Sequence, residues 1–132
     1  MQILIAVYGT LRKGYWNHSL IEKTRFIGKT KTGPNWKMYI STGQFPVLVP
    51  GSTSVLVEVY DVSRETLARV DMLEGYPDFY NRKLIHTEYG DAWIYFMQNY
   101  KSGIEIKSGD YTDYFNSFLN SSTVFDQEEF DE

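Results

Sequence analysis

The stretch Val70-Asp71-Met72-Leu73-Glu74-Gly75-Tyr76-Pro77-Asp78-Phe79-Tyr80-Asn81-Arg82 makes a helix end and a strand begin close together. Gly75 is the natural left-handed residue after a helix, and Pro77 cannot continue one. Ser63 caps the other end, so the spacing predicts a helix over residues 64–74. Glu74 is the last residue before the glycine. A carboxylate there faces the negative end of the helix dipole, at a cost of about 0.3–1 kcal/mol on an exposed surface. Tyr76, Phe79 and Tyr80 follow it. If those rings cover Glu74, desolvation and the dipole both push its pKa upward. Such an acid suits proton transfer near neutral pH. The plain alternative is a glutamate on a wet helix end, and this stretch alone leaves both open.

Around that helix the chain reads as short strands. Residues 2–8 are apolar on both faces, which predicts a strand buried on both sides. Asn17 can cap a short helix to about residue 23. Strands are expected over residues 24–32, Trp36–Ile40 and 54–61, with a short edge strand at 45–49, because Pro46 cannot donate to a ladder. Two more, over 80–88 and 92–97, flank the compact turn at 89–91. Residues 101–107 read as loop, and 111–119 as a short amphipathic helix. Strands, a helix, then more strands predict an α+β fold, a small mixed β-barrel, closed or half-closed, with flanking short helices. Three charged residues bear on it. Glu58 lies within the strongest strand; on an open sheet it would face water, inside a barrel it would need a partner. Asp71 and Glu74 can share one helix face, where two carboxylates raise one another's pKa.

Composition narrows the function. A chain of 132 residues suits one domain, expected over residues 1–120, with an acidic, solvated tail at 121–132. The last seven residues hold five acids and no base, so without them the net charge of -4 becomes +1. The body therefore has no basic stripe for nucleic acid. The absence of cysteine removes disulfides, thiol nucleophiles and thiolate metal sites. With only His18 and His86, far apart, no metal site is expected. No apolar run is long enough to span a bilayer, and residues 1–7 read as a strand and not a signal peptide, so the expectation is a cytoplasmic protein without a membrane partner. Eleven tyrosines call for a core or cleft with partners for their hydroxyls.

Tyr8-Gly9-Thr10-Leu11-Arg12-Lys13-Gly14 is the other stretch with chemical content. Such a loop can turn backbone N–H groups toward an anion, although a plain strand exit explains the glycines equally well. It lacks the Gly-Lys-Ser/Thr ending of a phosphate-binding loop. No Gly-x-Ser-x-Gly elbow exists. An acid at a helix end, a glycine loop and many tyrosines point to acid–base chemistry on a small molecule.

Taken together, these stretches resemble the γ-glutamyl cyclotransferase-like superfamily. The segment from Val7 to Gly14 followed by Asn17-His18 is similar to its N-terminal signature, and the basic pair and Asn-His are most similar to the γ-glutamylamine cyclotransferase branch. Glu74, Pro77, Tyr80 and Arg82 resemble the second motif. Phe45-Pro46, Glu58-Val59-Tyr60 and Ser108-Gly109-Asp110-Tyr111 are weaker matches in the same order. The resemblance implies a small mixed β-barrel and a cyclisation that needs no cofactor. The free α-amine of a γ-glutamyl group attacks its own side-chain carbonyl, giving 5-oxoproline and a free amine. It implies Glu74 as catalytic acid–base, substrate binding by Tyr8, Gly9, Thr10 and Leu11, a substrate-orienting Tyr80, and a structural Arg82 paired with an acid. The small γ-glutamyl substrate is the one partner it implies. Two other readings use the same pocket: a non-catalytic γ-glutamyl-binding module, and an amidase releasing glutamate.

Overall fold

The computed structural model describes residues 2–114 and 116. In chain order the elements are β1 (Leu4–Val7), a 3-10 turn (His18–Leu20), β2 (Arg25–Lys31), β3 (Trp36–Ile40), β4 (Pro46–Pro50), β5 (Leu56–Asp61), α1 (Arg64–Glu74), β6 (Asn81–Thr87), β7 (Gly90–Phe96) and β8 (Ile104–Glu105). β1 is the central strand. It pairs antiparallel with β5 and parallel with β7, and all four of its residues are buried. Its alternating side chains feed two cores. Leu4 and Ala6 join Trp36, Met38, Leu48, Val57 and Ile94 between the two sheets. Ile5 and Val7 join Val47, Val70 and Tyr95, which ties β1 to β4 and α1.

The α+β class is found; the closed barrel is not. A five-stranded sheet runs β2-β5-β1-β7-β6, and a separate three-stranded sheet runs β4-β3-β8. The large sheet ends in two edges, β2 and β6. A bulge between Phe26 and Gly28 bends β2, and the β6–β7 turn reaches it through side chains in place of a ladder. Tyr89 donates to the Lys29 carbonyl at 3.2 Å, and Thr30 donates to Glu88 at 2.5 Å. The small sheet meets the large one where Met97 N–H donates to the Leu48 carbonyl at 2.8 Å. β4 lies at an edge, the place its leading proline requires. β8 replaces part of the expected loop at 101–107. Its two residues carry no periodic signal; they pair because β3 offers a free edge.

Helix α1 has the caps its sequence calls for. Ser63 Oγ accepts from Thr66 N–H at 3.1 Å. At the other end Gly75 adopts φ 66°, and Gly75 and Tyr76 N–H groups return to the Met72 and Asp71 carbonyls at 3.2 and 2.9 Å. Val70 is buried beneath it, whereas Leu73, one turn on, is 45% exposed. The 17–23 helix is reduced to a single 3-10 turn, and Asn17 makes no side-chain cap there. Of the expected helix over 111–119, residues 111–114 and 116 are helical; its other residues, and the tail at 121–132, lie outside the described residues. Among the described residues no helix is long and apolar enough to cross a membrane.

Candidate active site

β1 delivers the chain into the loop at residues 8–11, and the loop is tied down on several sides. Arg12 N–H donates to the Gly9 carbonyl at 2.9 Å, and Asn17 reaches Thr10 twice, from its backbone to the carbonyl at 3.0 Å and from Nδ2 to Oγ1 at 2.8 Å. His18 Nδ1 lies 2.9 Å from the Leu11 carbonyl. With those bonds made, the Thr10 and Leu11 N–H groups have no acceptor among the described residues. Gly9 permits the close approach of β4: a Cβ there would sit 2.3 Å from Pro46 Cγ.

Beneath the loop two buried residues act as its anchor. Glu58 and Arg12 are each 4% exposed. Glu58 accepts from Arg12 Nε at 3.3 Å, Lys13 N–H at 2.9 Å and Tyr60 OH at 2.8 Å. Arg12 also donates to Asp110 at 2.9 Å, and Asp110 accepts from Thr112 N–H at 2.8 Å. Burial pushes the Asp110 carboxyl up, but the Arg12 guanidinium and the Thr112 N–H outweigh it and leave the group below its ordinary value. The strand position of Glu58 predicted a partner inside a barrel; the partner comes from the loop.

A cavity of about 340 Å³ opens above this loop. Tyr8, Gly9, Thr10, Leu11, Glu74 and Tyr80, the six residues nominated by the sequence, all line it, together with Trp16, Asn17, Phe45, Pro46, Leu73, Phe79 and Tyr95. Glu74 makes no hydrogen bond or ion pair among the described residues, and burial pushes its carboxyl up to about 7. Desolvation is the cause; the helix dipole adds little, because the returning N–H groups of Gly75 and Tyr76 already satisfy the last carbonyls. Phe79 and Tyr80 line the same cavity as the acid, while Tyr76 stacks on Arg82 with its ring 4.3 Å from the guanidinium.

Asp71 does not act on Glu74. Arg82 binds it with two bonds, at 2.8 and 3.2 Å, and Tyr95 OH donates to it at 2.5 Å. Its charge is therefore neutralised locally, and Trp93 closes the other face of Arg82 at 4.2 Å. The phenols around the cavity are neutral donors. Burial raises the pKa of Tyr8, Tyr80 and Tyr95, and the Glu74 charge adds to each. Tyr8 OH donates to the Tyr95 carbonyl at 2.9 Å and Tyr80 OH to the Pro46 carbonyl at 2.6 Å. Tyr95 and Asn17 escaped the sequence reading. Tyr95 sits in an ordinary alternating strand, and Asn17 carries the signature of a helix cap; no local signal marks either as a cavity residue.

Backbone donors and an acid with no partner among the described residues, and three buried phenols, line one cavity, an arrangement able to bind a small molecule and to transfer a proton near neutrality. A sequence model described as Gamma-glutamyl cyclotransferase, AIG2-like matches residues 5–113. A Methanocaldococcus jannaschii protein, provisionally named a gamma-glutamylcyclotransferase, is 41% identical over 116 residues, covering 83% of this chain and 96% of that one. The gamma-glutamylcyclotransferase family protein YtfP of Escherichia coli K12 is 38% identical over 110 residues, covering 83% and 96%. The crystal structure of an uncharacterized Pyrococcus horikoshii protein superposes with a TM-score of 0.80 at 30% identity, covering 89% of this chain and 97% of that one. The chain belongs to the gamma-glutamyl cyclotransferase, AIG2-like family.

Proposed function

We propose that the protein is a γ-glutamylamine cyclotransferase: it converts a γ-glutamyl amide into 5-oxoproline and a free amine. The observation that carries this reading is the unpaired Glu74 carboxyl, raised to about 7, in the same cavity as the open N–H groups of Thr10 and Leu11.

The chemistry asks for little else. The α-ammonium first loses a proton to solvent, which returns one to the amine after its release, and so becomes nucleophilic. Its nitrogen then bonds to the γ-carbonyl carbon, and the carbonyl oxygen takes up negative charge. Backbone donors beside the carbonyl stabilise that charge. Glu74 removes the proton from the now tetravalent ring nitrogen and passes it to the departing nitrogen, so the C–N bond to the amine breaks as the oxyanion collapses and the ring carbonyl re-forms. Overall the α-nitrogen gives up two protons and the leaving nitrogen gains two, with no net consumption of water. A carboxyl near pKa 7 is suited to both directions of transfer. Holding the glutamyl chain folded back on itself supplies the remaining gain, since a cyclisation responds strongly to orientation. Tyr8 and Tyr80, already bonded to backbone carbonyls, form fixed walls for that fold.

The test is product identity. A panel of γ-glutamyl amines and peptides, including γ-glutamyl-ε-lysine, is incubated with wild type and Glu74→Gln, and 5-oxoproline is followed by mass spectrometry beside each freed amine. 5-Oxoproline from wild type and not from the variant supports the reaction and the acid. Glutamate in its place would make the protein an amidase, and binding without product would make it a binding module.

A further inference from the structure

We propose that the leaving amine carries an uncharged apolar group, aromatic or branched, which packs on a hydrophobic wall at the cavity mouth; this rests on the γ-glutamyl reading above. The wall is built from separate parts of the chain. Phe45, Phe79 and Tyr80 form an aromatic cluster, with ring centroids 5.9 Å apart for Phe45–Phe79, 5.3 Å for Phe79–Tyr80 and 6.4 Å for Phe45–Tyr80. Trp16 adds a large ring from the first loop, and Leu73 adds an aliphatic side chain from the last turn of α1. Trp16, Phe79 and Leu73 are 60%, 56% and 45% exposed. Their apolar surface contacts the cavity and is left in water, the condition under which an apolar ligand group gains most from binding.

Charge selects in the same direction. Among the described residues lining the cavity there is no Lys, Arg or His to hold an anionic amine. The two nearby guanidiniums are already engaged, Arg12 with Glu58 and Asp110 and Arg82 with Asp71. Glu74 is the one acid in the lining, and its task in the cyclisation is to give up and recover a proton, so it cannot serve as a standing counter-ion for a second ammonium. A neutral apolar group meets the wall without either conflict.

Three substrates test this: γ-glutamyl-phenethylamide, γ-glutamylphenylalanine and the cationic γ-glutamyl-4-aminobutylamide. kcat/KM for 5-oxoproline release is measured with wild type, and Kd by calorimetry with Glu74→Gln. The phenethylamide is expected to exceed both charged substrates by about tenfold in kcat/KM, over the phenylalanine compound because its extra carboxylate meets no cation in the lining, and over the aminobutylamide because that chain brings no ring to the wall. It is also expected to bind most tightly to the variant. Trp16→Ala and Phe79→Ala should each lower the ratio of phenethylamide to γ-glutamyl-methylamide turnover by about three- to tenfold. Both side chains are largely exposed, so their truncation leaves the core untouched. Equal or better handling of either charged substrate overturns the apolar subsite while leaving the cyclisation standing. No 5-oxoproline from any substrate, with the Kd order intact, overturns the cyclisation and keeps the subsite; no order in Kd overturns the subsite.

Discussion

Glu58 and Glu74 lie on either side of the same loop and have opposite surroundings. Glu58 accepts from a guanidinium, a backbone N–H and a phenol. Glu74 has a partly buried carboxyl with no partner among the described residues. A buried charge with full hydrogen bonding is a fixed structural element, because removing either partner strands the other. A carboxyl without partners pays for burial with a raised pKa and becomes able to change its protonation near neutrality. The same side chain anchors the loop in one place and is free to handle protons in the other. What separates them is the supply of donors: the loop gives two to Glu58 and β5 a third, whereas Glu74 shares its cavity with Leu73, Phe79 and Tyr80 and receives none among the described residues.

Exchange of each glutamate probes that division most strongly. Glu74→Gln is expected to cut 5-oxoproline release by about a hundred- to ten-thousandfold with no loss of thermal stability; near-normal turnover would remove Glu74 from the reaction. Glu58→Leu should do the reverse at the level of folding, lowering stability by about 3–5 kcal/mol in urea titration because Arg12 is left buried beside an apolar side chain. Unchanged stability there would mean that Asp110 alone satisfies the guanidinium.

The pH dependence sharpens the contrast. The ionised form of Glu74 takes the proton, so kcat/KM should climb through a limb near pH 7, the value to which burial pushes the group. Stability moves the other way. Glu74 titrates at about 7 when folded and at its ordinary 4.5 when unfolded, so between those values the folded chain holds more protons and loses stability as pH rises. Thermal melts from pH 5 to 8 (roughly the span of that transition) should show this slope in wild type and not in Glu74→Gln. Asp110 has the opposite sign. Held below its ordinary 3.8, it contributes stability above that pH and loses it as the pH falls through its lower folded value.

Smaller effects come from the supports. Gly9→Ala forces Pro46 or the loop aside, which should cost about 1–3 kcal/mol of stability and raise KM; an unchanged KM would show that the loop's exact position is unimportant. Ser63→Ala removes the α1 cap and should cost about 1 kcal/mol in urea titration with turnover unaltered, since the cap lies at the end of the helix away from Glu74.

Much of the fold was legible because its signals are local. Ser63, Gly75 and Pro77 bracket α1, and the alternation of Trp36–Ile40 marks β3, because caps and period-2 patterns act within a few residues. The two stretches that line the cavity stood out for the same reason, Glu74 by the glycine after it and residues 8–11 by the glycine loop after the first strand, yet each left a plain structural reading open, and the resemblance to the family is what nominated them together. The partner of Arg82 was foreseen in kind, though Asp71 as that partner required the helix to be set against β6.

The rest was decided by contacts between residues far apart in the chain. Strand periodicity does not state whether a sheet closes, so the barrel gave way to two sheets joined by single bonds and side chains. β8 has two residues and no pattern of its own; the free edge of β3 made it a strand. Tyr95 reached the cavity because β7 runs parallel to β1, and Asn17 because the turn after the loop folds back onto Thr10. Sequence by itself determined where an acid would stand at a helix end. Tertiary structure decided that Glu74 would have no partner among the described residues and Glu58 would have three, because desolvation and hydrogen bonding depend on what the chain brings near a group.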